Sequence, residues 1–282
     1  MADIVLQVDE GWARFPASLK RPNGEPRFHI EFPAPLVKDQ SVTYMISHDA
    51  EQGYELPTRN LIERVLRPGD FFIDVGAHWG YFTLQAATHP AGNIQAIAFE
   101  PDPVNGSVLF RNISKNGVAQ NAHMVCAACG DRLELAPLVE SHHFNMMSSI
   151  RGVGLKGPFT HGASKLVPVL SLDWALTYFP QASAARLILK VDAEGFEPQV
   201  LAGARGLLNS GRVPLVIWEY GFGFADGPER VALMHMLEDL SRRGFRHLRP
   251  PGQEIDGTYL PFTLDDNYVG NVFSFGPTFD TF

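Results

Sequence analysis

The stretch Phe71–Phe82, FFIDVGAHWGYF, decides how this chain is read. Its first six residues form an almost continuous apolar run, as expected of a strand buried on both faces. The run then meets Asp74 and turns through Gly76 and Gly80, four residues apart. Two readings fit that turn. Either it simply closes a strand into a helix, or a nucleotide-like cofactor lies against it.

Working outward, the same rhythm repeats. After the helix-like YFTLQAATH comes a second strand, NIQAIAFE, and a second helix, DPVNGSVLFRNISKNG. AHMVCAACG is a third strand. ARLILKVD and VPLVIWEYG are the fourth and fifth, followed by the helices EPQVLAGARGLLNSG and PERVALMHMLEDLSRRG. Apolar strands alternating with helices predict a parallel sheet covered on both faces. FRHLRP and YVGNVFSF close the chain with no helix between them, which predicts an antiparallel pair. Before Phe71, RFHIEF and SVTYMIS alternate in period two and predict a two-stranded hairpin or small sheet. LPTRNLIERVLRPGD predicts a helix that places Leu61, Ile62, Val65 and Leu66 on one face and stops at Pro68-Gly69. Between Asp131 and Ala184 the rhythm breaks into short strands and loops ending in a small helix. Such an insertion (about residues 132–184) either holds substrate or serves as a structural flap. Phe144, Met146, Met147 and Ser148 are its candidate lining residues, or else packed core.

The chain has 282 residues, 45% of them hydrophobic, and a formal net charge of -8. One large core is affordable at this length. The acidic balance and the lack of a basic block argue against a nucleic-acid partner. MADIVLQVDEGW has no basic segment followed by an apolar run and does not read as a signal peptide, and no run of about 18 apolar residues is present to span a membrane. The expectation is a soluble cytoplasmic protein. Cys126 and Cys129 have C-x-x-C spacing, but no second ligand pair completes a zinc site. Three apart on a strand, they point to opposite faces, which opposes a disulfide.

In an open parallel sheet, ligands bind beyond the carboxyl ends of the strands. On this reading the five strands end at Asp74-Val75-Gly76, Glu100-Pro101-Asp102, Cys129-Gly130-Asp131, Asp192-Ala193-Glu194-Gly195 and Glu219-Tyr220-Gly221. Each carries a carboxylate, so the rim is acidic. The turn differs from the G-x-G-x-x-G dinucleotide pattern. A pyrophosphate fits poorly against Asp74, Glu100 and Asp102. Glu100 suits a ribose diol, because a carboxylate accepts two hydroxyl hydrogen bonds. A ribose-bearing cofactor with a positive centre and no phosphate fits better, and S-adenosylmethionine is such a molecule.

FIDVGAHWGYFTL, AIAFEPDPVNGSVLFRNISKNG, AACGD, VPVLSLDWAL and LKVDAEGFEPQVLAGARGLL, over about residues 71–220, together resemble the FkbM-type S-adenosylmethionine-dependent methyltransferases. The resemblance implies an α/β class I methyltransferase (Rossmann-like) fold. Its seven-stranded, mostly parallel sheet ends in an antiparallel strand, and here an N-terminal β extension (1–55) precedes the methyltransferase domain (56–282). It implies Asp74, Gly76 and Gly80 at the methionine part of the cofactor, and Glu100 on the ribose with Asp102 beside it. Gly130 and Asp131 fall at the adenine edge, and Asp192 and Glu194 face the methyl group. His78, also a cofactor-site residue, stands where asparagine is usual, and Ala193 replaces a common valine.

Methyl transfer to a hydroxyl calls for a base, and Asp192, Glu194 and Glu219 are the candidates, Asp192 first. Glu194 also suits a cap for the helix near Glu197. The expected reaction is O-methylation of a small polar, sugar-containing or natural-product acceptor. N-methylation is the alternative, although no Asn/Asp-Pro-Pro-aromatic segment follows the fourth strand. No metal is assigned; a divalent cation between Asp192 and Glu219, as in catechol-type methyltransferases, is a minor variant. A cofactor-binding scaffold without catalysis and an NAD-linked oxidoreductase are the rival classes. His142 and His143 read as exposed loop histidines rather than bases, and His48 is a weaker candidate still. The acceptor and the oligomeric state are left open.

Overall fold

A computed structural model of the chain describes residues 6–51, 53–140, 148–150, 164–221, 227–251, 258–264 and 268–280. The N-terminal segment begins with β1 (Gln7–Asp9), β2 (Trp12–Pro16) and β3 (His29–Pro33), an antiparallel sheet in that order. The expected second alternating strand is instead a helix, α1 (Gln40–Glu51). Val42, Met45, Ile46 and Asp49 are buried at helical spacing, while Tyr44 is 52% exposed. The apparent period of two therefore came from Tyr44, an aromatic on the solvent side of a helix. α2 (Leu56–Val65) follows and buries Leu61, Ile62 and Val65 as its spacing predicts.

The α/β core then runs β4 (Phe71–Val75), α3 (Tyr81–Ala87), β5 (Gln95–Phe99), α4 (Pro103–Lys115) and β6 (Ala122–Val125). The chain next leaves this sheet. β7 (Ala128–Cys129), β8 (Glu134–Glu140), β9 (Ser148–Ile150) and β10 (Ser164–Leu170) form a second sheet in the order β7-β10-β8-β9. After α5 (Leu172–Ala175), the core resumes with β11 (Leu187–Val191), α6 (Glu197–Ala202), α7 (Arg205–Asn209), β12 (Leu215–Tyr220) and α8 (Gly227–Arg242). It ends with β13 (Arg246–Arg249), β14 (Leu260–Pro261) and β15 (Gly270–Phe275).

Among the described residues the main sheet has the order β14-β13-β15-β12-β11-β4-β5-β6. β6, β5, β4, β11 and β12 are parallel, and β15 runs antiparallel between β12 and β13. The sheet is thus the mixed, mostly parallel α/β sheet of the class I methyltransferase fold, with the two-residue β14 added at one edge. Strand order reverses between the neighbouring strands β4 and β11, which is where such a sheet leaves a crevice.

One expectation is corrected here. The third strand of the main sheet ends at Val125, not at Asp131. A turn at Ala127 carries the chain across, and Ala128 and Cys129 pair with Val169 and Leu170 of β10. Gly130 and Asp131 therefore end a strand of the second sheet, and four main-sheet strands, rather than five, carry acids at the rim. Cys126 is exposed, Cys129 is buried, and both are free thiols.

Alternation along the strands builds two cores. Phe71, Ile73, Val75, Leu187, Leu189, Val191, Val216 and Trp218 face one, with α6, α8 and the second sheet. Phe72, Ile188, Leu215, Ile217, Phe273 and Phe275 face the other. That second core also contains Phe15, Ile30, Phe32, Met45 and Tyr54, so the N-terminal segment packs directly on the sheet.

Candidate functional site

Strand register places the polar strand ends. Asp74 is the ladder partner of Lys190, and Glu219 is the ladder partner of Asn271. Successive residues of a strand point to opposite faces. Asp74, Lys190, Glu219 and Asn271 thus all lie on the face covered by the N-terminal segment. Asp192 and Glu100, one residue past β11 and β5, continue the same alternation.

The turn after β4 is held by backbone geometry. Gly76 has φ +76°, and a Cβ there would stand 1.7 Å from the carbonyl oxygen of Asp192. Glycine is needed because two strand-end loops touch through their backbones. Gly80, at φ +89°, begins α3, and a Cβ on it would meet Leu109 at 2.4 Å. Between them His78 has φ 49°. Its backbone N–H donates to Glu100 Oε2 at 2.8 Å, and Asp102 N–H donates to Glu100 Oε1 at 2.9 Å. Glu100 thereby locks two loops together. Burial raises its carboxyl to about 7 despite those two amides. Each carboxylate oxygen accepts more than one hydrogen bond, so capacity for ribose hydroxyls remains.

Asp74 is 1% exposed. Its Oδ2 accepts from Thr83 Oγ1 at 2.6 Å, while Oδ1 is buried without a partner. Burial pushes its carboxyl up, against the pull of Lys190. Such an orphaned acceptor is costly unless a ligand or water satisfies it. The His78 ring stacks on Trp79, centroids 4.6 Å apart, and Trp79 stacks in turn on Phe32. Burial lowers His78 to about 4, so its imidazole is neutral at physiological pH.

Asp102 does two local tasks. Its Oδ1 caps α4 through Val104 and Asn105 N–H, and Oδ2 takes Lys165 Nζ at 2.6 Å. Gly130 is pressed against Val169 and Phe196, and Asp131 pairs with Arg132 at the surface. Cys126 is the residue after the third main-sheet strand, and partial burial, helped by the charges of Glu100 and Asp102, raises its thiol.

Asp192, Glu194 and Glu219 come together: an oxygen from each lies within 4.8 Å of the others. All three keep partial solvent access. Burial, then the Asp192 charge, raises both Glu194 and Glu219 well above the usual carboxylate range, with Glu197 adding to the push on Glu194 and Glu194 to that on Glu219. Glu194 does not cap α6, whose first N–H groups find no side-chain cap. Glu197 instead reaches back, its Oε1 accepting from Ala193 N–H at 2.8 Å, and burial raises it to about 8. Ser149 of β9 donates to the Glu194 carbonyl at 2.9 Å, so the second sheet touches this loop. His48 lies on α1, its ring tilted at 39° against Tyr44. Phe144, Met146, Met147, His142 and His143 lie outside the described residues, and Ser148 is a partly buried residue of β9.

Sequence reasoning missed Lys190 and Glu55. Lys190 left one signal, a lone charge inside the apolar run LILKV. Glu55 left none, since it reaches the rim from the far end of the chain. Asn271 Nδ2 donates to Glu55 Oε2 at 2.6 Å.

Comparison with known proteins bears on this geometry. The sequence profile described as "Methyltransferase FkbM domain" matches residues 74–247. No curated protein matches the chain. Among solved structures it is similar to methyltransferase FkbM from Methylobacillus flagellatus KT, with 17% identity and a TM-score of 0.47. That match covers 84% of this chain but only 54% of the other, so the chain spans about half the length of that relative. It is also similar to precorrin-6y C5,15-methyltransferase from Geobacter metallireducens GS-15, with 11% identity, 78% and 88% coverage and a TM-score of 0.41. A further similar structure, SMU.1697c from Streptococcus mutans in complex with SAH, has 10% identity, 78% and 96% coverage and a TM-score of 0.43. On the profile match, which covers more than half of its length, the chain belongs to the FkbM methyltransferase family.

Proposed function

We propose that the chain transfers a methyl group from S-adenosylmethionine to a hydroxyl of a small polar, sugar-containing or natural-product acceptor. The observation that carries this reading is the row of strand-end acids, Glu100, Asp192 and Glu219, on one sheet face beside the Gly76 turn. The orphaned Asp74 Oδ1 and the remaining acceptor capacity of Glu100 fit a ligand with ammonium and hydroxyl donors. Asp74, Gly76, His78 and Gly80 would hold its amino-acid end, and Glu100 the ribose. Cys126 and Ala127 take over the adenine-edge place first given to Gly130 and Asp131, because they follow the rim end of β6.

Bound S-adenosylmethionine supplies an electrophilic methyl carbon for in-line displacement. The chain's part is to hold the acceptor oxygen, keep water out and take the proton. Glu194 and Glu219 suit the proton-accepting role, since burial and neighbouring carboxylates raise both above the usual carboxylate range, and a raised carboxylate is the stronger base. Lys190 Nζ donates to Asp192 Oδ2 at 2.9 Å, which holds that carboxylate in place.

Calorimetric titration tests the donor. S-adenosylhomocysteine is expected to bind, and binding of NAD alone would overturn the reading. The convergence of three carboxylates within 4.8 Å favours one second reading, a divalent cation holding the acceptor oxygens. Turnover unchanged after EDTA treatment removes it.

A further inference from the structure

Lys190 is the one polar side chain in β11, a strand in which every residue is buried. Its side chain is 2% exposed. An ammonium taken out of water costs several kcal/mol unless close carboxylates compensate. Here the compensation is specific. Nζ lies 2.9 Å from Asp192 Oδ2, and the Phe82 ring lies under it at 4.8 Å. Asp74 is its direct ladder partner on the same face. Burial by itself would lower the lysine, but Asp192, Glu55 and Asp74 together hold it firmly protonated.

Glu55 is the unusual member of this set. It belongs to the segment before α2, and its backbone is left-handed, at φ 42° and ψ 55°. That costs about 1 kcal/mol or more for a non-glycine residue. Tyr54 beside it is buried and packs on Tyr81 and Phe82. On its other side Glu55 takes the Asn271 amide, and Asn271 is the cross-strand partner of Glu219. The N-terminal segment is therefore stitched to the rim end of β15 through one carboxylate, and Tyr54 packs on the same Phe82 ring that lies under Lys190.

We propose that Lys190 and Glu55 are positioning residues: Lys190 fixes Asp192 at the rim, and Glu55 fixes Lys190, which makes the N-terminal segment a working part of the methyl-donor site. The inference rests on the donor reading above. It accounts for a buried charge in an apolar strand and for a left-handed backbone at Glu55.

The test is titration of the full chain with S-adenosylhomocysteine, using wild type, Lys190→Met, Lys190→Arg, Glu55→Gln and the Lys190→Met/Glu55→Gln pair. Lys190→Met is expected to weaken binding at least tenfold, Lys190→Arg to recover most of that loss, and Glu55→Gln to weaken binding about threefold. The double variant is expected to match Lys190→Met alone, because Glu55 acts through the lysine. Binding by Lys190→Met within twofold of wild type overturns the proposal, and so does a Lys190→Arg variant no better than Lys190→Met. A double variant whose loss is the product of the two single losses shows independent roles and also overturns it. Should Lys190→Met fail to fold, Glu55→Gln decides alone, since it removes an ionisable group from the cluster; unchanged binding then overturns the proposal. A wild-type chain that takes up no S-adenosylhomocysteine overturns the donor reading itself, and this proposal with it.

Discussion

Glu197 is fully buried with one oxygen accepting the Ala193 amide and the other unpartnered. Burial raises it from 4.5 to about 8, and Glu100 behaves alike at about 7. Both groups bind a proton more tightly folded than unfolded. Their contribution is complete below the unfolded value and is lost as pH rises through about 7 to 8. Unfolding in urea should therefore show stability falling between pH 5 and pH 9. Glu197→Gln keeps the acceptor for Ala193 and cannot ionise, so it should shrink that fall by about 2–4 kcal/mol. An equal fall in both proteins would contradict the assignment. Gly76 makes a harder demand. A methyl group 1.7 Å from the Asp192 carbonyl, at φ +76°, cannot be absorbed by a side-chain movement. Gly76→Ala should lose about 3 kcal/mol or more in denaturant unfolding, with S-adenosylhomocysteine binding lost as well.

At the scale of elements, α4 is what ties the rim to the N-terminal sheet. Asn112 is fully buried. It accepts from Glu31 N–H at 2.8 Å and donates to the carbonyls of Glu31 and Trp79. One amide thus joins α4, β3 and the β4–α3 turn. Asn112→Ala leaves buried backbone groups unpaired and should cost about 2–4 kcal/mol, read from the urea midpoint. The element scale also shows where sequence patterns mislead. The alternation in SVTYMIS was real, yet it was too short to separate a strand from a helix. The helical solution won because Val42, Met45, Ile46 and Asp49 bury together against the sheet. AHMVCAACG read as one strand because both halves are apolar. It is two strands in two sheets, and nothing local marks the crossing at Ala127.

Across the whole molecule, the N-terminal segment and the main sheet share one core, from Phe15 and Ile30 through Phe72 to Phe273. Calorimetric unfolding should therefore show a single transition, and two resolved transitions would show the segment folding apart. Sequence alone determined the α/β order, the buried parallel strands and the acids at the rim ends of β4, β5, β11 and β12. Those features are local: apolar runs, glycine turns and strand-end residues carry them within a few positions. The tertiary structure alone decided which acids meet. Register set Asp74 opposite Lys190 and Glu219 opposite Asn271, chain crossing moved Asp131 off the rim, and packing brought Glu55 to it. Burial and charge pairing act between residues far apart in the chain, so no local pattern encodes them.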